Sequence, residues 1–263
     1  MVDFENKLRY DVSDLRELMA LLRGPDGCPW DREQTHKSIM RNLLEEAYEA
    51  AEAIDSDDTD HLVEELGDVL LQVVFHADIA QGNARFDLDD IADAICKKLI
   101  RRHPHVFGSA CAKDETDSLA FWEDIKSEEK QHDCVADAMR SVAGSLPALW
   151  RAEKIQKKAA KVGFDWPDYT GAMACLCAEK QELAEAIKTG SNIEEELGDL
   201  IFSAVNVARF FDIDPELALE LANKKFISRV SALEKMAHEQ GKRLEDMTLD
   251  EMEGLYQLVK LEK

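Results

Sequence analysis

Four acidic residues, Glu46-x-x-Glu49 and Glu65-x-x-Asp68, recur later in the chain as Glu179-x-x-Glu182 and Glu196-x-x-Asp199. On a helix a three-residue step turns the chain by about 300°, so each pair projects from nearly one face, one turn apart. Two such helices packed antiparallel would bring four carboxylates together. An all-oxygen set of this kind suits Mg²⁺, or Mn²⁺ in its place, whereas zinc takes thiolate and imidazole. The chemistry that follows is metal-assisted attack by water on a phosphate ester or anhydride. The bland alternative is a solvated acidic face, which is the reading for Glu45, Glu52, Glu64, Glu185 and Glu195. The motif itself stands directly before strongly apolar helices and repeats with its flanking residues, which a solvated face does not require.

The elements that must position these acids are themselves duplicated. LVEELGDVLLQVVF (62–75) matches IEEELGDLIFSAVN (193–206), LEEAYEAAEAI (44–54) matches CAEKQELAEAI (177–187), and KLIRR (98–102) matches KFISR (225–229). Trp122-x-x-x-Lys126 parallels Tyr256-x-x-x-Lys260, and CPWD (28–31) parallels GFDW (163–166). Five blocks in one order point to two modules, assigned to residues 1–135 and 136–263, with turn residues around Cys134 to Pro147 between them. Apolar residues recur at helical spacing over Leu8–Leu22, Ile39–Ile54, Leu62–Ile79 and Ile91–Ile100. Asp55 to Asp60 and Gln81 to Asn83 break the pattern, with Thr59 or Asp60 as the expected cap. The helix after Glu65 is apolar nearly all round and is expected to be central. The fold class is therefore all-α, a tandem of helical-bundle modules. Gly67 and Gly198, inside helical pattern between the acids, imply close helix packing, room for a ligand, or a Gly tolerated at a helix start.

Composition narrows the partners. The net charge of −23 over 263 residues excludes duplex nucleic acid and an anionic membrane as partners. It does not exclude an anionic small molecule, because a bound cation reverses the local sign. Six cysteines without framework spacing read as reduced thiols. The charged start MVDFENKLRYDV lacks an apolar signal region, and no run reaches membrane-spanning length, so a cytoplasmic protein is expected.

With CPWD, RRHPHVF (101–107), KIQKKAAKVGFDW (154–166), ANKKF (222–226) and both acidic sets in view, the chain resembles the MazG family of nucleoside triphosphate pyrophosphohydrolases in its two-domain bacterial form. The resemblance implies an all-α NTP pyrophosphohydrolase fold, a homodimer, and Mg²⁺-dependent cleavage of (d)NTPs to the monophosphate and pyrophosphate with broad specificity. It implies that the C-terminal half is the main catalytic unit, with Glu179, Glu182, Glu196 and Asp199 as metal ligands and Glu195 an outer group. Either Glu179 or Glu182 would orient the water. Lys225, Arg229, Tyr256 and Lys260 match nucleotide-contacting positions, although Trp is the more usual residue where Tyr256 stands. Read singly, Lys225, Arg229 and Lys260 are a solvated basic face and Tyr256 is core; their duplication favours phosphate binding. Asn223 either contacts a metal-bound phosphate or caps a helix. Trp166 either stacks on a base or, the blander reading, is a buried core residue. Arg151, Lys154, Lys157, Lys158 and Lys161 either line the entrance or offset neighbouring acids.

The first half keeps Glu46, Glu49, Glu65, Asp68, Lys98, Arg102, Trp122 and Lys126, and differs at Cys96, where the second half has Asn223. His103 and His105 read as structural. A di-iron bundle needs Glu-x-x-His on two helices, and only Glu33–His36 fits. Two alternatives stand beside the broad-specificity hydrolase. One is a narrower dUTP-type pyrophosphohydrolase; the other is a nucleotide-sensing adaptor with little turnover, whose N-terminal half binds a regulatory protein.

Overall fold

The computed structural model describes residues 4–56, 58–108, 114, 125 and 134–261. The chain divides into two compact units, Met1–Glu129 and Lys130–Lys263. Among the described residues there are helices and turns but no strand.

The N-terminal unit contains α1 (Val12–Arg23), α2 (Pro29–Glu33), α3 (Met40–Ser56), α4 (Thr59–Gly82), α5 (Leu88–Arg102) and α6 (Pro104–Phe107). Aspartates start α1, α4 and α5 because a short carboxylate reaches the free N–H groups of the first turn. Asp11 and Asp14 form a reciprocal capping box at α1, and Asp87 and Asp90 form another at α5. The first helix therefore begins at Val12, not Leu8. At α4 the cap is Asp58, which accepts from the N–H groups of Asp60 and His61, so the expected cap moves one residue upstream of Thr59. The break between α3 and α4 is correspondingly shorter than Asp55 to Asp60. A connection this short makes the two helices antiparallel neighbours, and they share the most extensive contact of the unit. Ala50 and Ala53, both buried, let α3 approach closely.

The core of this unit is Met19, Ile39, Val74, Phe75 and Ile79, joined by Leu15, Leu71 and Leu88. Arg23 locks α1 to α4 through a largely buried ion pair with Asp78 at 2.6 Å, while its guanidinium lies 5.1 Å from the Phe75 ring centre. The expected central burial of α4 holds for its second half. Toward the acids, Val63, Leu66 and Leu70 lie exposed on one stripe at i, i+3 and i+7.

The C-terminal unit repeats the plan with α7 (Val135–Arg140), α8 (Ala148–Ala160), α9 (Tyr169–Thr189), α10 (Ile193–Phe210), α11 (Pro215–Glu239), a 3₁₀ turn (Leu244–Asp246) and α12 (Leu249–Leu261). Gly190, with φ of 72°, ends α9 in the left-handed conformation that glycine adopts without steric cost. Asn192, also left-handed, then starts α10, so α9 and α10 form the second antiparallel hairpin. Helix α8 packs on α10 and α11; Trp150 Nε1 donates to the Asp214 carboxylate at 2.8 Å, tying the start of α8 to the start of α11. A separate core of Leu233, Ala237, Leu255 and Val259 joins α11 to α12. No helix among the described residues is long and apolar enough to cross a membrane.

Candidate active site

In each unit the antiparallel hairpin sets an E-x-x-E helix against an E-x-x-D helix. In the N-terminal unit, carboxylate oxygens of Glu46, Glu49 and Glu65 all lie within 4.8 Å of one another. In the C-terminal unit the same holds for Glu179, Glu196 and Asp199. Asp68 and Glu182 stand at the margin of these sets, and their charges still reach the centre. Burial first, and then Asp68, Glu49 and Glu65, raise the Glu46 carboxyl above the ordinary carboxylate range. Burial first, and then Glu182, Asp199, Glu195 and Glu179, do the same to Glu196.

Carboxylates at this spacing repel one another, so the arrangement fits a cation better than an empty centre. Glu65 supplies an independent sign. It is 9% exposed, its Oε1 faces His61 Nε2 at 3.0 Å, and its Oε2 is buried without a hydrogen-bond partner. A buried anionic oxygen left unpaired is costly, and a metal ion is a partner it lacks within the protein. Both donor sets contain oxygen only, which matches a hard divalent cation.

Other expected residues fall into place unevenly. Lys225 and Arg229 lie on one face of α11; Lys225 is exposed, and Arg229 is half-buried with its Nε unpartnered. The matching Arg102 in the first unit is buried. Tyr256 is half-buried against the α11–α12 core, 6.2 Å from Phe226 between ring centres, and Lys260 Nζ lies 4.6 Å over its ring. Lys260 therefore packs its ammonium against the face of Tyr256. Asn223 sits inside α11 and donates to Glu220 Oε2 at 3.2 Å, so the helix-capping reading is corrected. Trp166 is 47% exposed, which corrects its reading as a buried core residue. In the basic stretch, Lys157 pairs with Glu153 at 2.7 Å, in line with offsetting neighbouring acids. Close packing is not the reason for Gly67 and Gly198, since a Cβ at either would meet nothing within 4 Å. Trp122 and Lys126 lie outside the described residues.

Two neighbours of the acids escaped the sequence reading. Cys175 Sγ lies 3.6 Å from Glu179 Oε1 and 3.5 Å from the buried Ser203 Oγ, so it stands beside the acidic cluster. The i, i+4 spacing of Cys175 and Glu179 was the available signal. Ser203 follows Glu196 at i+7, the same face two turns on.

A model of the MazG nucleotide pyrophosphohydrolase domain matches residues 34–107 and 168–233, one copy over each acidic hairpin. The chain belongs to the MazG family of nucleoside triphosphate pyrophosphohydrolases. It is 43% identical over 247 residues to the MazG nucleoside triphosphate pyrophosphohydrolase/pyrophosphatase of Thermotoga maritima, covering 94% of each chain. It is 43% identical over 254 residues to the nucleoside triphosphate pyrophosphohydrolase of Escherichia coli K12, covering 95% of this chain and 97% of that one. To the uncharacterized protein YabN of Bacillus subtilis it is 47% identical over 256 residues, which is 96% of this chain and 52% of that protein. The chain thus spans nearly the whole of two MazG relatives and about half of the third. Both MazG matches enclose an acidic cluster, and the second also encloses Lys225 and Arg229.

Proposed function

We propose that the protein hydrolyses (d)NTPs of broad base range to (d)NMP and pyrophosphate, with Mg²⁺ held mainly by Glu179, Glu196 and Asp199, and by Glu182 at their margin. The observation that carries this reading is the all-oxygen cluster on the α9–α10 hairpin, set in a chain whose MazG relatives are named for pyrophosphate release. Mn²⁺ would satisfy the same donors. When bound, the ion supplies charge neutralisation at the phosphate oxygens and acidifies a water.

The chain's own groups do the rest. Lys225 and Arg229 project together from α11 as charge-assisted donors for phosphate oxygens. The unpartnered Arg229 Nε is a donor that a phosphate would satisfy. Tyr256 and Lys260 supply a further aromatic face and cation, and Asn223 a polar contact beside them. Either Glu179 or Glu182 accepts the proton of the attacking water, and the neighbouring carboxylates that add to burial in raising Glu196 above its ordinary range favour a cation among them. Catalysis of this type rests on positioning and electrostatics more than on covalent chemistry.

In the same proposal, residues 1–135 and 136–263 are the two MazG-like domains. The first also holds a cation, through Glu46, Glu49 and Glu65 with Asp68 at the margin. The exposed stripes Val63/Leu66/Leu70 on α4 and Leu197/Ile201 on α10 support burial in a homodimer. The test is turnover of an NTP and dNTP panel with Mg²⁺, assaying pyrophosphate and orthophosphate separately. Pyrophosphate release that Glu196→Gln lowers at least about a hundredfold supports the reading; orthophosphate alone contradicts it.

A further inference from the structure

The two units carry the same acids, but the residues that follow on the same helix differ. With Glu65 set against Glu196, Leu71, Gln72, Phe75 and Asp78 of α4 match Phe202, Ser203, Asn206 and Arg209 of α10. In the second unit Phe202, Asn206 and Arg209 border a cavity of about 430 Å³, within the size range of small-molecule sites. Phe202 is 43% exposed there, and Arg209 pairs with the Asp165 carboxylate at 2.9 Å.

In the first unit the matching positions are filled. Phe75 is 5% exposed and belongs to the core with Met19 and Val74, and Leu71 packs against that core. The Arg23 guanidinium covers the Phe75 ring and pairs with Asp78. A phenylalanine where the second unit has an asparagine closes with packed carbon the room that a nucleoside beside the acids requires.

The cation-binding end is not lost with it. Glu65 Oε2 is buried without a partner, and so is Oε1 of Gln72, a residue 6% exposed. Gln72 follows Glu65 by seven residues and Asp68 by four, on the same face of α4. The matching Ser203 has Cys175 Sγ at 3.5 Å as its partner. Two buried acceptors left open on the acid face call for partners from outside the chain. Mg²⁺ keeps several of its waters when bound, so it offers the ion to the carboxylate oxygen and a water proton to the amide oxygen.

The basic pair is kept as well. Lys98 and Arg102 stand at i and i+4 on α5, as Lys225 and Arg229 do on α11. Lys98 is exposed, and Arg102, one turn on, is buried. The first unit thus retains acids for a cation and a cation for phosphate oxygens, without room for sugar and base. The chemistry that fits is a phosphoanion with no organic part. Pyrophosphate presents two phosphoryl groups to one ion where orthophosphate presents one, and it is the product the second centre would release.

We propose that the first unit is a site for Mg²⁺-bound inorganic pyrophosphate, with Glu46, Glu49 and Glu65 on the ion, Gln72 accepting from its water and Lys98 on the phosphate oxygens. The proposal rests on the reading of these three glutamates as cation ligands, and adds the ligand that the cation carries. The test uses the full chain with Glu196→Gln, which impairs the second centre, and the same protein with Glu65→Gln added. Whatever binding the added change removes belongs to the first centre. Bound Mn²⁺ is counted by electron paramagnetic resonance, and pyrophosphate, orthophosphate and ATP are each titrated calorimetrically in excess Mg²⁺.

Glu65→Gln is expected to remove one Mn²⁺ and one pyrophosphate, with ATP and orthophosphate bound at the first centre at least about tenfold more weakly than pyrophosphate. Lys98→Met, at an exposed position, is expected to weaken pyrophosphate about tenfold and leave Mn²⁺ binding unchanged. ATP or orthophosphate held at the first centre as tightly as pyrophosphate, or Mn²⁺ held there with no pyrophosphate, would overturn the pyrophosphate assignment alone. If Glu65→Gln removes neither Mn²⁺ nor pyrophosphate, the cation reading of the first unit falls, and the proposal with it.

Discussion

Replacing Glu65 by glutamine should stabilise the metal-free protein while removing its response to Mg²⁺. Glu65 is 9% exposed, and its ligand oxygen lies within 4.8 Å of those of Glu46 and Glu49. Two unit charges at that separation repel by about 0.9 kcal/mol in water and about 3.5 kcal/mol at the effective dielectric of a protein surface. The Glu65→Gln substitution would remove the charge, keep an oxygen for His61 Nε2, and place an amide donor near the carboxylates. A gain of about 1–3 kcal/mol follows, worth about 3–12 °C in the melting temperature of a unit this size. With Mg²⁺ at about a thousandfold over Kd the wild-type unit gains about 4.1 kcal/mol, which the variant should largely forgo. The order of stability is therefore expected to reverse between EDTA and excess Mg²⁺. Differential scanning calorimetry of the full chain reads this directly, with Glu196→Gln marking the transition of the other unit. A Glu65→Gln protein that melts lower than wild type in EDTA, or gains as much from Mg²⁺, would refute the argument.

Three further outcomes follow from single contacts. His76 Nδ1 lies 2.8 Å from His36 Nδ1, and burial first, then His36, lowers the His76 pKa below 6.5. The folded state thus disfavours the proton, so its stability is full above pH 6.5 and falls as pH drops through 6.5 toward the lowered folded value; urea titrations should show this slope, and His76→Asn should flatten it. Gly198→Ala adds a Cβ into open space within α10 and should raise stability by up to about 1 kcal/mol; a loss of thermal stability would show that the site is not open. Arg229→Met removes a buried unpartnered nitrogen, so the melting temperature should hold while KM for nucleotides rises about tenfold or more; steady-state kinetics beside a thermal melt separates the two.

The acids were legible in the sequence because their spacing matches the helix and because duplication printed the motif twice. The hairpins were legible because Asp and Gly interrupt the apolar period between them. Helix starts were less so: Asp58 displaces Thr59 as a cap because its carboxylate reaches two N–H groups at once, a competition between neighbours that residue type alone does not resolve. Trp166 reads as core because Trp is usually buried, but the small neighbour that seats it, Gly171, sits in the next helix. Gln156 carried no signal at all. Its place depends on a bond to the Phe202 carbonyl, far along the chain, that only the packing of α8 on α10 creates.

The central proposal, cleavage to monophosphate and pyrophosphate at the C-terminal carboxylates, has water attack the α-phosphorus with pyrophosphate as the leaving group. Hydrolysis of ATP in ¹⁸O-labelled water, with the products separated and weighed by mass spectrometry, tests it most directly. The account expects the label in AMP and none in pyrophosphate, with both products lowered at least about a hundredfold for Glu196→Gln. Label in pyrophosphate, or in orthophosphate released beside ADP, would contradict it.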